Sequence, residues 1–184
     1  FKIDILTIGG GIVGLAASIA FLKSDPSLKI VIAEKESQLA LHASGRNSGV
    51  LHAGFYYSPD SLKAKFCREG NLELRKLAKT HQIPVREVGK VVVVRNYEEN
   101  SRLQLLFERG IKNGVDLEIL DGSKLNKYEP LAITHERFLW SPTTAISDPS
   151  AIIKAMRHEF ELLGGSIHYD TKISLKEINN DIVD

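Results

Sequence analysis

Two kinds of segment alternate along the chain, and their spacing predicts its secondary structure. Short apolar runs rich in β-branched residues predict strands at residues 3–8, 29–34, 91–94, 117–120, 137–140, 166–169 and 172–175. Longer segments with apolar residues three or four positions apart predict helices at residues 12–23, 62–81, 98–112 and 149–163. Alternating strands and helices are typical of an α/β fold with a parallel sheet. The less regular stretch 85–142 indicates part of a second, inserted domain.

A glycine-rich turn joins the first predicted strand to the first predicted helix. It reads Gly9-Gly10-Gly11-Ile12-Val13-Gly14 and has the spacing G-x-G-x-x-G. In this setting the first glycine permits a tight turn, the second lets a pyrophosphate approach the backbone, and the third allows close helix–strand packing. The helix N-terminus adds unpaired N–H groups and a partial positive charge. We therefore expect this turn to bind a dinucleotide, with contacts from Gly9, Gly11, Ile12, Val13 and Gly14.

An acidic residue stands where such a site binds ribose. Glu34 ends the second predicted strand, 20 residues after Gly14. Its carboxylate can accept hydrogen bonds from the ribose hydroxyls and would repel a 2′-phosphate, which argues against NADP. FAD and NAD share the same ADP half, so the turn and Glu34 leave both open.

A polar loop follows the second predicted strand, at the sheet edge where ligands of such folds bind. It reads His42-Ala43-Ser44-Gly45-Arg46-Asn47-Ser48-Gly49-Val50-Leu51-His52-Ala53-Gly54-Phe55-Tyr56-Tyr57. Its glycines allow close backbone approach, and its Ser, Arg and Asn side chains supply donors for phosphate or ribityl oxygens. The candidate cofactor contacts are Ser44, Gly45, Arg46, Asn47, Ser48 and Gly49. A loop of this length argues against a simple nicotinamide dehydrogenase.

The composition is that of an ordinary globular protein. Of the 184 residues, 43% are apolar and 26% are charged, which argues against disorder, collagen and coiled coil. The 24 basic and 23 acidic residues leave a net charge of +1, so no global charge favours nucleic acid as a partner. A single cysteine, Cys67, excludes an internal disulfide, and the six histidines lack metal-ligand spacing. No metal site is predicted.

Both glycine-rich segments, with their surroundings, resemble a known family. The segments 8–17, 34–35 and above all 44–57 are similar to the D-amino-acid-oxidase-like FAD oxidoreductases, and closest to their L-2-hydroxyglutarate oxidase/dehydrogenase group. Shorter agreements follow at residues 61–64, 67, 70, 89–90, 113–115, 129–130 and 141–142. The resemblance implies FAD as the cofactor and adds Lys35 to its expected contacts.

The resemblance also implies a domain organisation. A Rossmann-like FAD-binding domain is expected at 1–84 and 143–184, with part of an inserted antiparallel substrate domain at 85–142. Family members are considerably longer, so the chain is expected to be truncated, to retain flavin weakly and to be inactive by itself. One motif departs from the group, whose Thr-Gly-Ile-Val-Asp is replaced by Thr144-Ala145-Ile146-Ser147-Asp148.

The chemistry that the resemblance implies is oxidation of the C–OH group of a small 2-hydroxy acid, with L-2-hydroxyglutarate as the leading substrate. The hydroxyl must lose its proton while a hydride leaves the α-carbon for the flavin. His52 is the candidate base, because it follows the flavin loop and histidine titrates near neutral pH. A dicarboxylate also needs cationic or hydroxyl anchors, for which the candidates are Tyr56, Tyr57, Lys63 and Lys90.

Other functions and partners stay open at this point. The same fold also serves amino-acid or amine oxidases and glycerol-3-phosphate-type dehydrogenases, and a different class would be a non-catalytic nucleotide-binding fragment or an NAD-binding module. The expected electron acceptor is oxygen or a quinone-linked carrier. The single cysteine fits a reducing compartment, so the expected location is cytoplasmic. A peripheral position at the inner face of a membrane would suit quinone reduction, but no amphipathic basic helix supports it.

Overall fold

The computed structural model describes residues 2–174. Its helices α1 to α4 span Ile12–Ser24, Leu62–Thr80, Glu99–Lys112 and Pro149–Leu162. Its strands β1 to β9 span Ile5–Ile8, Ile30–Ala33, Val50–Leu51, Val85–Glu87, Lys90–Val93, Glu118–Asp121, Arg137–Ser141, Ala145–Ser147 and Ser166–His168. Two short 3-10 segments span Ala43–Gly45 and Gly122–Lys127. The chain forms two compact units, the first unit (1–48 with 149–184) and the second unit (49–148).

A parallel sheet with the order β1-β2-β9 forms the framework of the first unit. Ile5 of β1 pairs with Ile30 of β2, and Ala33 of β2 pairs with His168 of β9. In the central strand β2, Ile30, Ile32 and Ala33 are buried, as expected where both faces of a parallel strand are covered. The predicted α/β fold with a parallel sheet is therefore confirmed.

Helices α1 and α4 pack against each other in the first unit. In α1, Leu15, Ile19 and Leu22 are buried, and their spacing places them on one face of the helix. The facing residues of α4 are also apolar, and Ile152 and Phe160 are among those buried. The short turn between Ile8 and Ile12 places the N-terminus of α1 at the carboxyl end of β1.

The second unit is built on two antiparallel sheets, with the orders β3-β8-β4 and β5-β7-β6. Helix α3 packs on β7, and the buried core of the unit consists of Phe55, Val94, Leu103, Val115, Leu117 and Leu139. Gly89, just before β5, has a φ of +70°, and a Cβ there would clash with the Trp140 ring. A glycine is therefore required at this turn for both conformation and space.

The strands β3, β4 and β8 were not expected from the sequence pattern. They are two or three residues long, which is too short for an alternation of apolar and polar positions to be read. Residues 172–174, predicted as part of a strand, lie in no strand, and Leu175 lies outside the described residues. The predicted domain boundaries at 84/85 and 142/143 fall inside the second unit, whose limits are 48/49 and 148/149.

Candidate dinucleotide and substrate sites

The glycine turn of the first unit has the conformation that its sequence predicts. Gly9 has a φ of +98°, a conformation that glycine adopts without steric cost, and its N–H donates to the Ala33 carbonyl at 2.9 Å. A Cβ on Gly14 would clash with the carbonyl oxygen of Gly9. The turn and the first turn of α1 are therefore in direct backbone contact, and a side chain at position 14 would separate them.

The polar loop meets this turn at the N-terminus of α1. The Ile12 N–H donates to Ser44 Oγ at 3.1 Å, and a Cβ on Gly11 would lie 3.0 Å from the same oxygen. Gly11 supplies no side-chain cap, and the first turn of α1 has no acidic residue. Val13 is 79% exposed. The positive end of the helix is thus left without a neutralising charge of its own, which suits an anion.

Glu34 lies beside the same turn and is buried, with 6% of its surface exposed. Its Oε2 accepts the Gly10 N–H at 2.8 Å, and its Oε1 accepts the Glu36 N–H at 3.0 Å. A carboxylate has about four lone-pair sites, so two remain for ribose hydroxyls. The neighbouring Lys35 points to solvent, and its Nζ lies 3.6 Å from a Glu36 carboxylate oxygen.

The rest of the polar loop divides between the two units. Gly45 is close to Ala40, whose carbonyl oxygen a Cβ at position 45 would meet. Asn47 Nδ2 donates to the Ser44 carbonyl at 2.7 Å, while the Arg46 and Ser48 side chains are exposed. Gly49 belongs to the second unit, where its carbonyl accepts the Ser147 N–H at 2.9 Å. Within the first unit, the structure brings together the turn, Glu34 and Ser44.

These residues fit the ADP half of a dinucleotide. A Cβ would clash at Gly10 and Gly14 and would crowd Ser44 Oγ at Gly11, so most of the turn presents backbone beside a buried carboxylate. Tyr169, which follows β9, was not among the site residues that the sequence predicts for this unit. Among the described residues, its Oη is a buried side-chain atom that lacks a hydrogen-bond partner. Burial raises the pKa of this phenol, the positive charge of Arg157 opposes that effect, and the negative charges of Glu161 and Glu34 add to it.

Three candidate residues of the second unit lie together. The Lys90 Nζ is 4.8 Å from the centroid of the Tyr56 ring, a distance at which a cation and an aromatic face attract. His52 is close enough to Lys90 to feel its charge. Partial burial lowers the pKa of His52, and the positive charge of Lys90 lowers it further. Both effects favour the neutral form of His52, in which one ring nitrogen can accept a proton.

The other two substrate candidates are placed differently. The Tyr57 side chain is 39% exposed, and its main-chain carbonyl accepts a hydrogen bond from Asn113 Nδ2 at 3.1 Å. Lys63 lies on the exposed side of the first turn of α2. Within residues 2–174, no contact of Lys63 with His52, Tyr56 or Lys90 is found. The structure thus groups three of the five residues expected to act on substrate.

Neither a metal centre nor a membrane span is found in the part of the chain that the structure describes. No three His, Cys, Asp or Glu side chains there are arranged to hold a metal ion. None of the helices within residues 2–174 combines the length and apolar character that crossing a bilayer requires.

Comparison with known proteins adds to this geometry. The profile of the FAD-dependent oxidoreductase family that includes D-amino-acid oxidase matches residues 4–183. The chain belongs to this family. Membership confirms the predicted resemblance and decides for FAD between the two dinucleotides that the glycine turn left open.

Relatives within the family share much of the sequence. The mitochondrial L-2-hydroxyglutarate dehydrogenase of Caenorhabditis elegans is 42% identical over 97% of this chain and 41% of its own length. The mouse enzyme of the same name is 41% identical over 93% of the chain and 37% of its own length. The L-2-hydroxyglutarate dehydrogenase of Indibacter alkaliphilus is 37% identical over 96% of this chain and 44% of its own length. The chain therefore spans less than half the length of these relatives.

Solved structures with the same fold support the assignment. A dithionite-reduced L-α-glycerophosphate oxidase from Mycoplasma pneumoniae with FAD bound has a TM-score of 0.78 and 26% identity, covering 93% of this chain and 45% of that one. A glycine oxidase from Bacillus cereus has a TM-score of 0.79 and 25% identity, and the match covers 97% of this chain and 49% of that one.

The expected cytoplasmic location is wrong. The relatives from Caenorhabditis elegans and mouse are named as mitochondrial proteins, which points away from the cytoplasm. The error came from the single cysteine, because reduced thiols are found in more than one compartment and do not identify one.

Proposed function

We propose that this chain is part of an FAD-dependent oxidoreductase that oxidises the C–OH group of a small L-2-hydroxy acid, with L-2-hydroxyglutarate, converted to 2-oxoglutarate, as the first candidate. The observation that carries the proposal is the 42% identity with an L-2-hydroxyglutarate dehydrogenase over 97% of the chain. The glycine turn and buried Glu34 support the cofactor half of the proposal, and the His52–Tyr56–Lys90 group supports the substrate half.

In this proposal the first unit holds the ADP half of FAD. The turn Gly9–Gly14 presents its backbone to the pyrophosphate at the positive end of α1, and Glu34 accepts from the ribose hydroxyls. Lys35 and the loop residues Ser44 to Gly49 supply the remaining cofactor contacts. When bound, the flavin supplies the acceptor for the hydride.

The second unit would act on the substrate. The neutral ring nitrogen of His52 accepts the proton of the substrate hydroxyl, while the C–H bond electrons leave as a hydride and a C=O bond forms. The ammonium of Lys90 attracts a substrate carboxylate, and the Tyr56 ring limits where that ammonium can lie. Tyr57 and Lys63 are the further anchors for the second carboxylate.

The substrate assignment can be tested by anaerobic bleaching of the flavin in the full-length protein. L-2-hydroxyglutarate, its D-enantiomer, glycine and glycerol 3-phosphate are added separately, and absorbance near 450 nm (about the wavelength of an oxidised flavin) is followed. We expect bleaching by the L-hydroxy acid alone. Bleaching by glycine instead would identify the protein as an amine oxidase, and bleaching by glycerol 3-phosphate would identify it as a glycerol-phosphate enzyme. A colourless protein would contradict the cofactor as well.

The proposed electron acceptor is oxygen or a quinone-linked carrier. After anaerobic reduction, the protein is mixed either with air-saturated buffer or with a soluble quinone, and the return of flavin absorbance is timed. A fast return in air identifies an oxidase. A fast return only with the quinone identifies a dehydrogenase.

A further inference from the structure

The main chain at His52 is held by side chains of another element. β3 ends at Leu51, so the ladder with β8 does not extend to His52. Asn71 of α2 donates from Nδ2 to the His52 carbonyl at 2.9 Å, and Cys67 Sγ lies 3.6 Å from the same oxygen. Because a thiol is a weak donor, the Asn71 amide is the principal link between α2 and His52.

The other end of the Asn71 amide is also occupied. Arg75 Nε donates to Asn71 Oδ1 at 2.8 Å. The same guanidinium donates to Glu87 Oε1 of β4 at 2.7 Å and to the Thr143 carbonyl before β8 at 2.7 Å. A guanidinium is planar and rigid, so three partners fix its position. Arg75 thereby fixes the orientation of the Asn71 amide, with the NH₂ toward His52.

We propose that Asn71, oriented by Arg75, is a positioning residue that holds His52 where its ring can take the substrate proton. The proposal rests on the role of His52 given under the proposed function. The Asn71 amide uses both of its hydrogen-bonding groups: its oxygen accepts from the Arg75 guanidinium, and its NH₂ donates to the His52 carbonyl. A displacement of about 1 Å at a reacting group can reduce a rate on the order of 100-fold, so this link has kinetic consequences.

The substitution Asn71→Asp separates the two ends of the link. Aspartate has the shape of asparagine and keeps an acceptor for Arg75, so the contact with Arg75 becomes an ion pair. The other oxygen faces the His52 carbonyl without a proton to donate, so the hydrogen bond to His52 is lost. Asn71→Gln retains the amide and serves as the conservative variant. Asn126→Asp, on an exposed residue of the Gly122–Lys127 segment, adds the same charge as a control.

The test measures the rate of anaerobic flavin bleaching in the full-length protein, in both the wild-type and the His52→Ala background. We expect Asn71→Asp to reduce the rate about 10- to 100-fold in the first background and to have no further effect in the second. Asn71→Gln should recover part of the rate, and Asn126→Asp should leave it unchanged. An equal loss in both backgrounds, or a wild-type rate in Asn71→Asp, would overturn the proposal.

A second measurement does not depend on turnover. The ring resonances of His52, identified by their absence in His52→Ala, are titrated by NMR. Asn71→Leu, which removes the amide without adding charge, should raise the pKa of His52 toward its ordinary value because it loosens the segment, whereas Asn126→Leu should not. An unchanged titration in Asn71→Leu would contradict positioning. If His52→Ala keeps its rate, or no substrate bleaches the flavin, the proposed role of His52 fails, and the titration alone decides whether Asn71 positions the ring.

Discussion

The two candidate sites of this chain are built by different means. In the first unit, the backbone of the glycine turn forms the site, and among residues 2–174 Glu34 is the one charged side chain that is buried there. In the second unit, the site consists of side chains: His52 and Tyr56 lie on a segment that the amides of Asn71 and Asn113 hold in place, and Lys90 lies on β5. A backbone site is sensitive to added volume, whereas a side-chain site is sensitive to lost hydrogen bonds. The predictions below test that difference.

The largest effect is expected at Gly14. In Gly14→Ala the new Cβ would meet the Gly9 carbonyl, and neither backbone segment can move away cheaply. We expect the free energy of unfolding to fall by about 1–3 kcal/mol and the purified protein to lose its flavin. Thermal unfolding and the ratio of 450 nm to 280 nm absorbance (approximate flavin and protein maxima) measure the two effects.

Gly70 offers a matched control for Gly14. It lies within α2, and a Cβ there would meet no atom within 4 Å. Gly70→Ala should therefore raise stability by about 0.5–1 kcal/mol, without loss of flavin. If Gly14→Ala and Gly70→Ala behave alike, the backbone contact at the turn is not what shapes the first site.

The next effect concerns the carboxylate of Glu34. In Glu34→Gln an NH₂ group replaces one oxygen and would face either the Gly10 or the Glu36 N–H, which are both donors. Hydrogen bonds to charged groups contribute about 1.5–3 kcal/mol, so FAD affinity should fall about 10- to 100-fold. Quenching of flavin fluorescence gives the Kd. Glu118→Gln, on an exposed β6 residue, should leave the Kd unchanged.

A smaller effect is expected at Asn113, which acts on the second unit alone. Its Nδ2 donates to the carbonyls of Gly54 at 3.0 Å and Tyr57 at 3.1 Å, and the residue is buried. In Asn113→Ala both carbonyls lose this donor, so unfolding should cost about 2 kcal/mol less. Flavin affinity measured by fluorescence should change far less than in Glu34→Gln. A large loss of affinity would remove the distinction between the two sites.

The smallest effect is electrostatic and concerns the pKa of His52. Lys90→Met removes the positive charge that helps to lower this pKa, so the pKa should rise toward the ordinary value of 6.5. NMR titration of the ring measures the shift. Lys79→Met, on an exposed residue of α2, is the control and should not shift it.

The lowered pKa of His52 also predicts how the free energy of unfolding changes with pH. As pH falls through the ordinary value, the unfolded chain takes up a proton on this residue before the folded chain does. The contribution of His52 to the free energy of unfolding therefore decreases until the folded form is protonated as well. In Lys90→Met this decrease should be smaller, which chemical denaturation at neutral and mildly acidic pH can test.

The sequence predicted the first site better than the second for a physical reason. Gly9, Gly14 and Glu34 are separated along the chain by the standard length of a strand–helix–strand unit, so spacing alone was sufficient to bring them together. His52, Asn71 and Arg75 meet because of how α2 packs in the second unit, and no local pattern marks that arrangement. The same reason explains β4 and β8, which pair across 60 residues with few apolar positions of their own.

The hydrogen bond from Gly10 to Glu34 also has a consequence for the kinetics of cofactor binding. Because this bond lies within the protein, the conformation of the turn is fixed during folding, and its ordering entropy is not lost again when a nucleotide binds. Association at the ADP end should then be a single step whose rate depends linearly on nucleotide concentration, without the plateau that a slow loop rearrangement would impose. The carboxylate that we propose binds ribose is, in this sense, also the group that makes the turn ready to receive it.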